Sequence, residues 1–309
     1  MKLAILCSGQ GAQHKDMFAL TAQAPEAAGV FAAAAGALGM DPRDFVRESD
    51  DAALHANAAG QILCVTQALA GFAALQIAPG TRLTIAGYSI GELAAWGCAG
   101  AFSPEATIEL AGERAALMDA ASGPDDGLAF VRGFGRDSID GLCARHAAAI
   151  AIVNPGAVFV LGGARENLRA LCAEALSLGA ANAAPLKVKV AAHTPRLAAA
   201  SASFRAVLRA QSVRPRMAGA RLLSGVDAGL ALDVEAGLDK LAAQISQTID
   251  WAGCLDACVE AGAGAFLELG PGRALAAMVE AAYPGVRARS LEDFRGIEGA
   301  RAWLAQSAR

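Results

Sequence analysis

Thr84-Ile-Ala-Gly87-Tyr88-Ser89-Ile90-Gly91-Glu92-Leu-Ala94 is the stretch that decides the fold. Residues 87–91 spell G-x-S-x-G. The apolar run Leu83–Ala86 predicts a buried strand before it, and Glu92–Cys98 predicts a helix after it. Strand, sharp turn and helix is the setting in which G-x-S-x-G forms a nucleophile elbow. Glycine flanks the serine on both sides because such a turn leaves no room for a Cβ. The serine then stands at a helix N-terminus, where free N–H groups and the helix dipole favour negative charge. A second reading fits the same letters: Ser89 with Glu92 three residues on is a helix capping box. The surrounding chain has to separate the two.

Composition narrows the field. The chain has 309 residues, 55% hydrophobic and 18% charged, enough for one large domain or a large domain with an insert. A net charge of −4 with no basic run gives no footprint for nucleic acid. No uninterrupted apolar stretch reaches membrane-spanning length, and the opening apolar run, Leu3–Leu6, is too short for a signal-peptide core. The 7 cysteines are scattered without a C-x-x-C, and Cys254 and Cys258 lack nearby histidines. They read as buried thiols of a cytoplasmic protein, not as a zinc site.

Upstream of the elbow, a first strand over Lys2–Leu6 runs into Cys7-Ser8-Gly9-Gln10-Gly11. This loop is neither G-x-G-x-x-G nor a P-loop, so it carries no nucleotide fingerprint. Taken alone it reads as an ordinary turn; right-handed crossovers place it on the same carboxyl edge as the elbow. Residues 17–80 read as helical, with Gln61 opening the second helix. Downstream, Ser103-Pro104-Glu105 starts a helix running to about Ala121. It carries Arg114, which fits a surface residue paired with Glu113 or a guanidinium fork for a carboxylate.

Ser122-Gly-Pro-Asp-Asp-Gly127 is a linker, and the pattern changes beyond it. Strands are expected over Leu128–Gly133, Ala149–Val153, Val158–Gly162 and Ala181–Val190, with helices over Asp137–His146 and Glu166–Leu178. That is the β-α-β-β-α-β order of a ferredoxin-like module. Residues 125–190 are therefore read as a small α+β subdomain inserted into a large α/β domain of residues 1–124 and 191–309. His193 follows at once, at the return to the large domain. Of the four histidines it is the best placed to act as a base. His14, in the glycine loop, is its rival; His55 and His146 fall elsewhere. Strands over Arg221–Leu223, Ala265–Leu269 and Val286–Ser290 alternate with helices, so the large sheet is expected to be mostly parallel.

In chain order, Gly9-Gln10-Gly11, Gly87-Tyr-Ser-Ile-Gly-Glu92, Arg114, Asn154-Pro-Gly156, His193 and Leu269-Gly-Pro-Gly-Arg273 resemble the malonyl-CoA:acyl-carrier-protein transacylases. The resemblance covers nearly the whole chain, insert included. It implies an α/β-hydrolase-like acyltransferase domain with Ser89 as the acylated nucleophile and His193 as its base. It implies that the main-chain N–H groups of Gln10 and Ile90 form the oxyanion hole and that Arg114 grips the malonyl carboxylate. Gln61 and Asn154 match pocket positions. No bound cofactor or metal is implied. Malonyl-CoA is the substrate, and the acceptor is the phosphopantetheine-type thiol of an acyl carrier protein. The chemistry needs such parts: a serine requires an adjacent base, a tetrahedral oxyanion requires fixed donors, and a free carboxylate suits a bidentate arginine.

The departures inform as well. Tyr88 stands where the family usually has histidine, and Ser8 where it usually has proline. The family commonly orients its histidine with a main-chain carbonyl. The matching segment Gln247-Thr-Ile-Asp250-Trp251 carries Asp250 where an amide is more usual, which leaves carbonyl and carboxylate both open. The Leu6–Gly11 opening, the Gly87–Trp96 elbow and the Gln244–Trp251 segment look more like the epsilon subunit of bacterial malonate decarboxylase. That subunit moves malonyl to the complex's own carrier protein. The fatty-acid-synthesis transacylase is the alternative. A serine esterase or thioesterase also shares the elbow, although in the α/β-hydrolase order an acid lies between serine and histidine. Carrier proteins are typically acidic, so Arg132, Arg136, Lys187, Lys189 and Arg196 are candidates for a basic docking rim.

Overall fold

The computed structural model describes residues 2–78 and 80–307. Its strands are β1 (Lys2–Cys7), β2 (Leu83–Gly87), β3 (Asp126–Arg132), β4 (Ala149–Asn154), β5 (Val158–Ala164), β6 (Asn182–Pro185), β7 (Ala220–Leu222), β8 (Ile249–Asp250), β9 (Ala263–Glu268) and β10 (Arg287–Ser290). The large sheet has the order β10-β9-β1-β2-β7, and all of its pairings are parallel. Helical crossovers cover both faces, which is why β1 and β2 are buried along almost their whole length. β1 and β2 are central neighbours, paired from Leu3↔Leu83 to Cys7↔Gly87. The loops that follow them therefore leave the same carboxyl edge side by side, where ligands gather in such sheets.

The second sheet has the order β6-β3-β5-β4-β8. Its first four strands, with the helices Arg136–Arg145 and Arg165–Ser177, follow the ferredoxin-like order expected from the sequence. They enclose their own core, which includes Ala129, Val131, Ile139, Leu142, Leu161 and Leu171.

Two features differ from expectation. The last strand was expected over 181–190 but ends at Pro185. After the Leu186 N–H bonds the Leu128 carbonyl at 2.8 Å, the chain leaves the sheet edge. Val190 and Ala192 are then buried in the main core, which also holds Leu3 and Ile5 of β1 and Leu83 and Ile85 of β2. The other difference is β8, contributed by the large half, which pairs parallel with β4 through Ile152↔Ile249. Two residues carry no periodicity, so this stitch left no mark in the sequence.

The helix Asn57–Leu75 runs through the main core. Among the described residues it is the one helix long and apolar enough to cross a membrane, with 78% of its apolar window buried inside the protein. Gln61, Thr66 and Gln67 interrupt it in sequence, yet its average hydropathy stays high. All seven cysteines are buried and unpaired.

Candidate active site

Ser89 has φ 57° and ψ −120°, a conformation that costs a non-glycine residue about 1–3 kcal/mol. Its neighbours impose it. A Cβ on Gly87 would lie 2.0 Å from the Gly91 carbonyl carbon, and one on Gly91 would lie 2.0 Å from the Cys7 oxygen. Both glycines are thus required to close the elbow against the end of β1. The helix Ile90–Cys98 starts immediately, yet the Ser89 side chain makes no capping bond. Its Oγ instead stands 2.8 Å from Nε2 of His193. Glu92 completes no capping box either: it is buried, and its carboxyl accepts the Gly225 N–H at 3.1 Å.

His193 is itself held at φ 62°, with its N–H bonded to the Ile245 carbonyl at 2.8 Å. Its Nδ1 is hydrogen-bonded to the main-chain oxygen of Gln244. A carbonyl only accepts, so Nδ1 carries the proton and the Nε2 lone pair faces the Ser89 hydroxyl. Burial, reinforced by the Arg114 charge, pushes His193 down to about 3, so the ring is neutral at pH 7. A hydroxyl hydrogen-bonded to a neutral, oriented imidazole has the geometry of a nucleophile and its base.

Asp250, considered above as the orienting group, does not face the histidine. Its carboxylate caps the helix Trp251–Glu260 by accepting the Gly253 N–H at 2.9 Å. The other histidines are engaged elsewhere: His14 with Glu292, His55 with Asp51 and His146 with Glu174.

Arg114 is not a surface residue. It is 1% exposed, and its partners are two neutral amide oxygens: Gln61 Oε1 at 2.6 Å from Nη1 and Gln244 Oε1 at 3.2 Å from Nη2. Its Nε is buried without a partner. Burial lowers its pKa to about 10, against the attraction of Glu92, so it remains a cation. Gln61 is fixed in turn by donating to Asn57 Oδ1 at 2.9 Å. A buried cation with only neutral acceptors is costly until an anion joins it.

Gln244 was missed in the sequence. Its main-chain oxygen holds His193, its Oε1 holds Arg114, and its Nε2 donates to the Ser89 carbonyl at 2.9 Å. The available signal was a glutamine just past a helix whose buried positions, Leu238, Leu241 and Ala242, continue into Ile245.

The first loop packs directly on the elbow. The Tyr88 N–H bonds the Cys7 carbonyl at 2.9 Å, and a Cβ on Gly9 would lie 2.9 Å from the Tyr88 oxygen and 3.6 Å from Ser89 Cβ. Ile90 opens its helix, so its N–H is among the four that such a terminus leaves without helical partners. Tyr88 packs edge-on against Trp251, with ring centroids 5.4 Å apart, and its hydroxyl lies beside the Asn154 amide of the insert. Asn154 is buried with Oδ1 unpartnered. Two clefts lie where the halves meet. One of about 540 Å³ is lined by His193, Ser246, Gln247 and Arg136, and one of about 470 Å³ by Arg132, Asn154, Ala274 and Met278.

A family profile described as acyl transferase domain matches residues 5–290. The malonyl CoA-acyl carrier protein transacylase of Mycobacterium bovis is 28% identical over 301 residues, covering 94% of this chain and 96% of that protein. The acyl-carrier-protein S-malonyltransferase of Burkholderia pseudomallei 1710b superposes with a TM-score of 0.90 at 25% identity, covering 98% of this chain and 100% of that one. A type II PKS acyl-carrier protein in complex with its malonyl-transacylase gives a TM-score of 0.90 at 25% identity, covering 98% and 99%. The chain belongs to the acyl transferase domain family.

Proposed function

We propose that this protein is a malonyltransferase that moves the malonyl group of malonyl-CoA through Ser89 to the phosphopantetheine-type thiol of an acyl carrier protein. The observation that carries the reading is Arg114, a buried guanidinium with only amide partners beside the Ser89–His193 pair. Malonyl brings the carboxylate this cation lacks. An acetyl group would leave the cation unpaired, which a site built for a polar partner penalises strongly. The names of the relatives, and the carrier protein bound to one structural neighbour, support the donor and the acceptor.

In the first half-reaction, Ser89 Oγ attacks the thioester carbonyl as His193 Nε2 takes its proton. The oxyanion accepts from the N–H groups of Gln10 and Ile90, while the Gln244 carbonyl steadies the imidazolium. Collapse breaks the C–S bond, and His193 returns the proton to the CoA thiolate. In the second half the carrier thiol gives its proton to His193 and attacks the malonyl-Ser89 ester, and Ser89 leaves as the hydroxyl. Asn154 and Arg132, on the cleft beside Tyr88, suit the amide and phosphate groups of a phosphopantetheine arm.

For the acceptor, we propose the carrier subunit of malonate decarboxylase, with this chain as the epsilon subunit acting in the cytoplasm; the resemblance of the elbow and of residues 244–251 supports this. The relatives' names favour the alternative, a fatty-acid carrier. Intact mass after mixing with malonyl-CoA is expected to show one malonyl adduct that Ser89→Ala abolishes. An adduct that survives Ser89→Ala rejects the reading. Rapid release of malonate without an acceptor would assign a hydrolase instead. Transfer rates to the two carriers then identify the acceptor.

A further inference from the structure

Glu268, the last residue of β9, is 0% exposed, and the mechanism above gives it no task. Its Oε1 accepts the Ser8 hydroxyl at 2.6 Å, and its Oε2 accepts the Ala276 N–H at 2.8 Å. The second bond lies in the first turn of the helix Ala274–Ala282. Burial still outweighs these bonds and pushes the Glu268 carboxyl up to about 7, with the Ser8 hydroxyl and the helix-start N–H groups opposing. The first bond is different in kind, because it reaches across to the loop that follows β1.

Ser8 is wedged where it stands. A Cβ on Gly270 would lie 2.0 Å from Ser8 Cβ, so the Gly270-Pro-Gly turn closes directly over the serine. Just before that turn the Leu269 N–H bonds the Leu6 carbonyl at 2.8 Å, tying the two segments together. The residues after Ser8 are Gly9, which touches Tyr88, and Gln10, whose N–H is one proposed oxyanion donor.

The loop has three other side-chain braces. Cys64 Sγ contacts the Gly9 oxygen at 3.4 Å, Gln10 Nε2 makes an exposed bond to the Asn57 oxygen at 3.2 Å, and the Gly11 N–H donates to Gln13 Oε1 at 2.5 Å. Thiols are weak donors, and an exposed amide bond competes with water. The Gly11 bond stays within the loop, whereas the 2.6 Å bond from Ser8 to Glu268 is fully buried and ties the residues just before Gln10 to another strand.

We infer that Glu268, acting through the Ser8 hydroxyl, is a positioning residue that sets where the Gln10 N–H points relative to Ser89. The inference rests on the proposed nucleophile and oxyanion hole, and it deepens that reading by assigning the support of one donor. Displacing a catalytic group by about 1 Å costs on the order of 10²-fold in rate, and losing an oxyanion donor about 10²–10³-fold. Partial loosening is therefore expected to cost about tenfold or more.

The test compares Ser8→Ala and Glu268→Gln with the wild type. A fluorophosphonate phosphonylates an activated serine and seats its phosphoryl oxygen in the same hole, so its labelling rate at Ser89 reads the loop whatever acyl group is natural. Ser8→Ala is expected to label about tenfold more slowly. Glu268→Gln offers one oxygen to two donors and is expected to slow labelling in the same direction, by a smaller factor. The ratio of malonyl to acetyl acylation stays constant in both variants, because Arg114 is untouched. Ser8→Ala leaves a buried carboxyl oxygen without its donor and is expected to melt a few degrees lower, so rates are taken per folded protein. Labelling within twofold of wild type in both variants, or in whichever of them folds, overturns the inference. So does a slowing that appears only in proportion to lost folded protein. Failure of wild-type malonylation with normal labelling would reject the malonyl reading and leave the loop result standing.

Discussion

Gln244 accepts a hydrogen bond from Arg114 Nη2 at 3.2 Å, while its own main-chain oxygen holds Nδ1 of His193. One residue therefore touches both the proposed carboxylate clamp and the proposed base. Its side chain can be changed without removing the carbonyl. Gln244→Glu would set a carboxylate on Arg114 and occupy the cation that malonyl is proposed to reach. Malonyl-CoA acylation is expected to fall about tenfold or more, and further than acetyl-CoA acylation. The comparison is kcat/KM for the two thioesters; parallel losses would show that the glutamate disturbs the nucleophile and not the clamp.

Because a main-chain carbonyl holds Nδ1 of His193, the acid at 250 is expected to be dispensable for chemistry. Asn is as good a helix cap as Asp, so Asp250→Asn preserves the bond to the Gly253 N–H. Transfer is expected to stay within about threefold of wild type, whereas loss of a triad-type acid costs orders of magnitude. A hundredfold fall in the acylation rate would reinstate Asp250 as a partner of the base.

Arg114→Ala removes a buried, multiply bonded cation and leaves the Gln61 oxygen without its donor. Malonyl acylation of Ser89 is expected to drop about 10²-fold or more while acetyl acylation changes far less, which inverts or erases the preference. Rates for both donors, normalised to the folded fraction, decide it. An unchanged malonyl-to-acetyl ratio would remove Arg114 from the clamp.

The parts of the molecule legible in the sequence are those that side-chain type or periodicity encodes. Gly87 and Gly91 announce the elbow because no other residue fits within 2.0 Å of backbone. The apolar strands announce the parallel sheet, whereas the segment 122–127, read as a linker, already contributes Asp126 and Gly127 to β3. Gln244 stayed hidden because its central contact is made by a carbonyl that every residue possesses. Asp250 attracted attention for the opposite reason: a carboxylate is visible in the sequence, while its commitment to a helix cap is not. Arg114 could be read as surface or site until its 1% exposure and amide partners were in view. Tyr88 acquires a role only in three dimensions, against Trp251 on one side and Asn154 of the insert on the other.

His193 gives a kinetic prediction. Burial first, and the Arg114 charge second, hold it down to about 3 where an ordinary histidine titrates at 6.5. The free enzyme should therefore keep the neutral base throughout the mildly acidic range. The kcat/KM for Ser89 acylation is expected to show no acid limb between pH 7 and pH 5. A tenfold decline over that interval, fitted by a single ionisation near 6.5, would show the imidazole to be solvated and its burial wrong.

Glu92 makes the corresponding prediction for stability. Burial raises it from 4.5 to about 8, with the Gly225 N–H and the Arg114 charge opposing. The folded carboxyl binds its proton more tightly than the unfolded one. Its favourable contribution is thus complete below pH 4.5, declines as pH rises towards 8 and is gone above that. Each pH unit in the window is worth up to about 1.4 kcal/mol. Glu92→Gln keeps an acceptor for the Gly225 N–H but cannot ionise, so it should lose this slope while wild type retains it. Urea unfolding of both proteins at pH 5, 7 and 9 measures the difference, and the variant is expected to gain on wild type by about 1 kcal/mol or more between pH 5 and pH 7. Two parallel stability curves would mean that Glu92 is already ionised in the fold, compensated by Arg114, and that the guanidinium is not free for a substrate carboxylate.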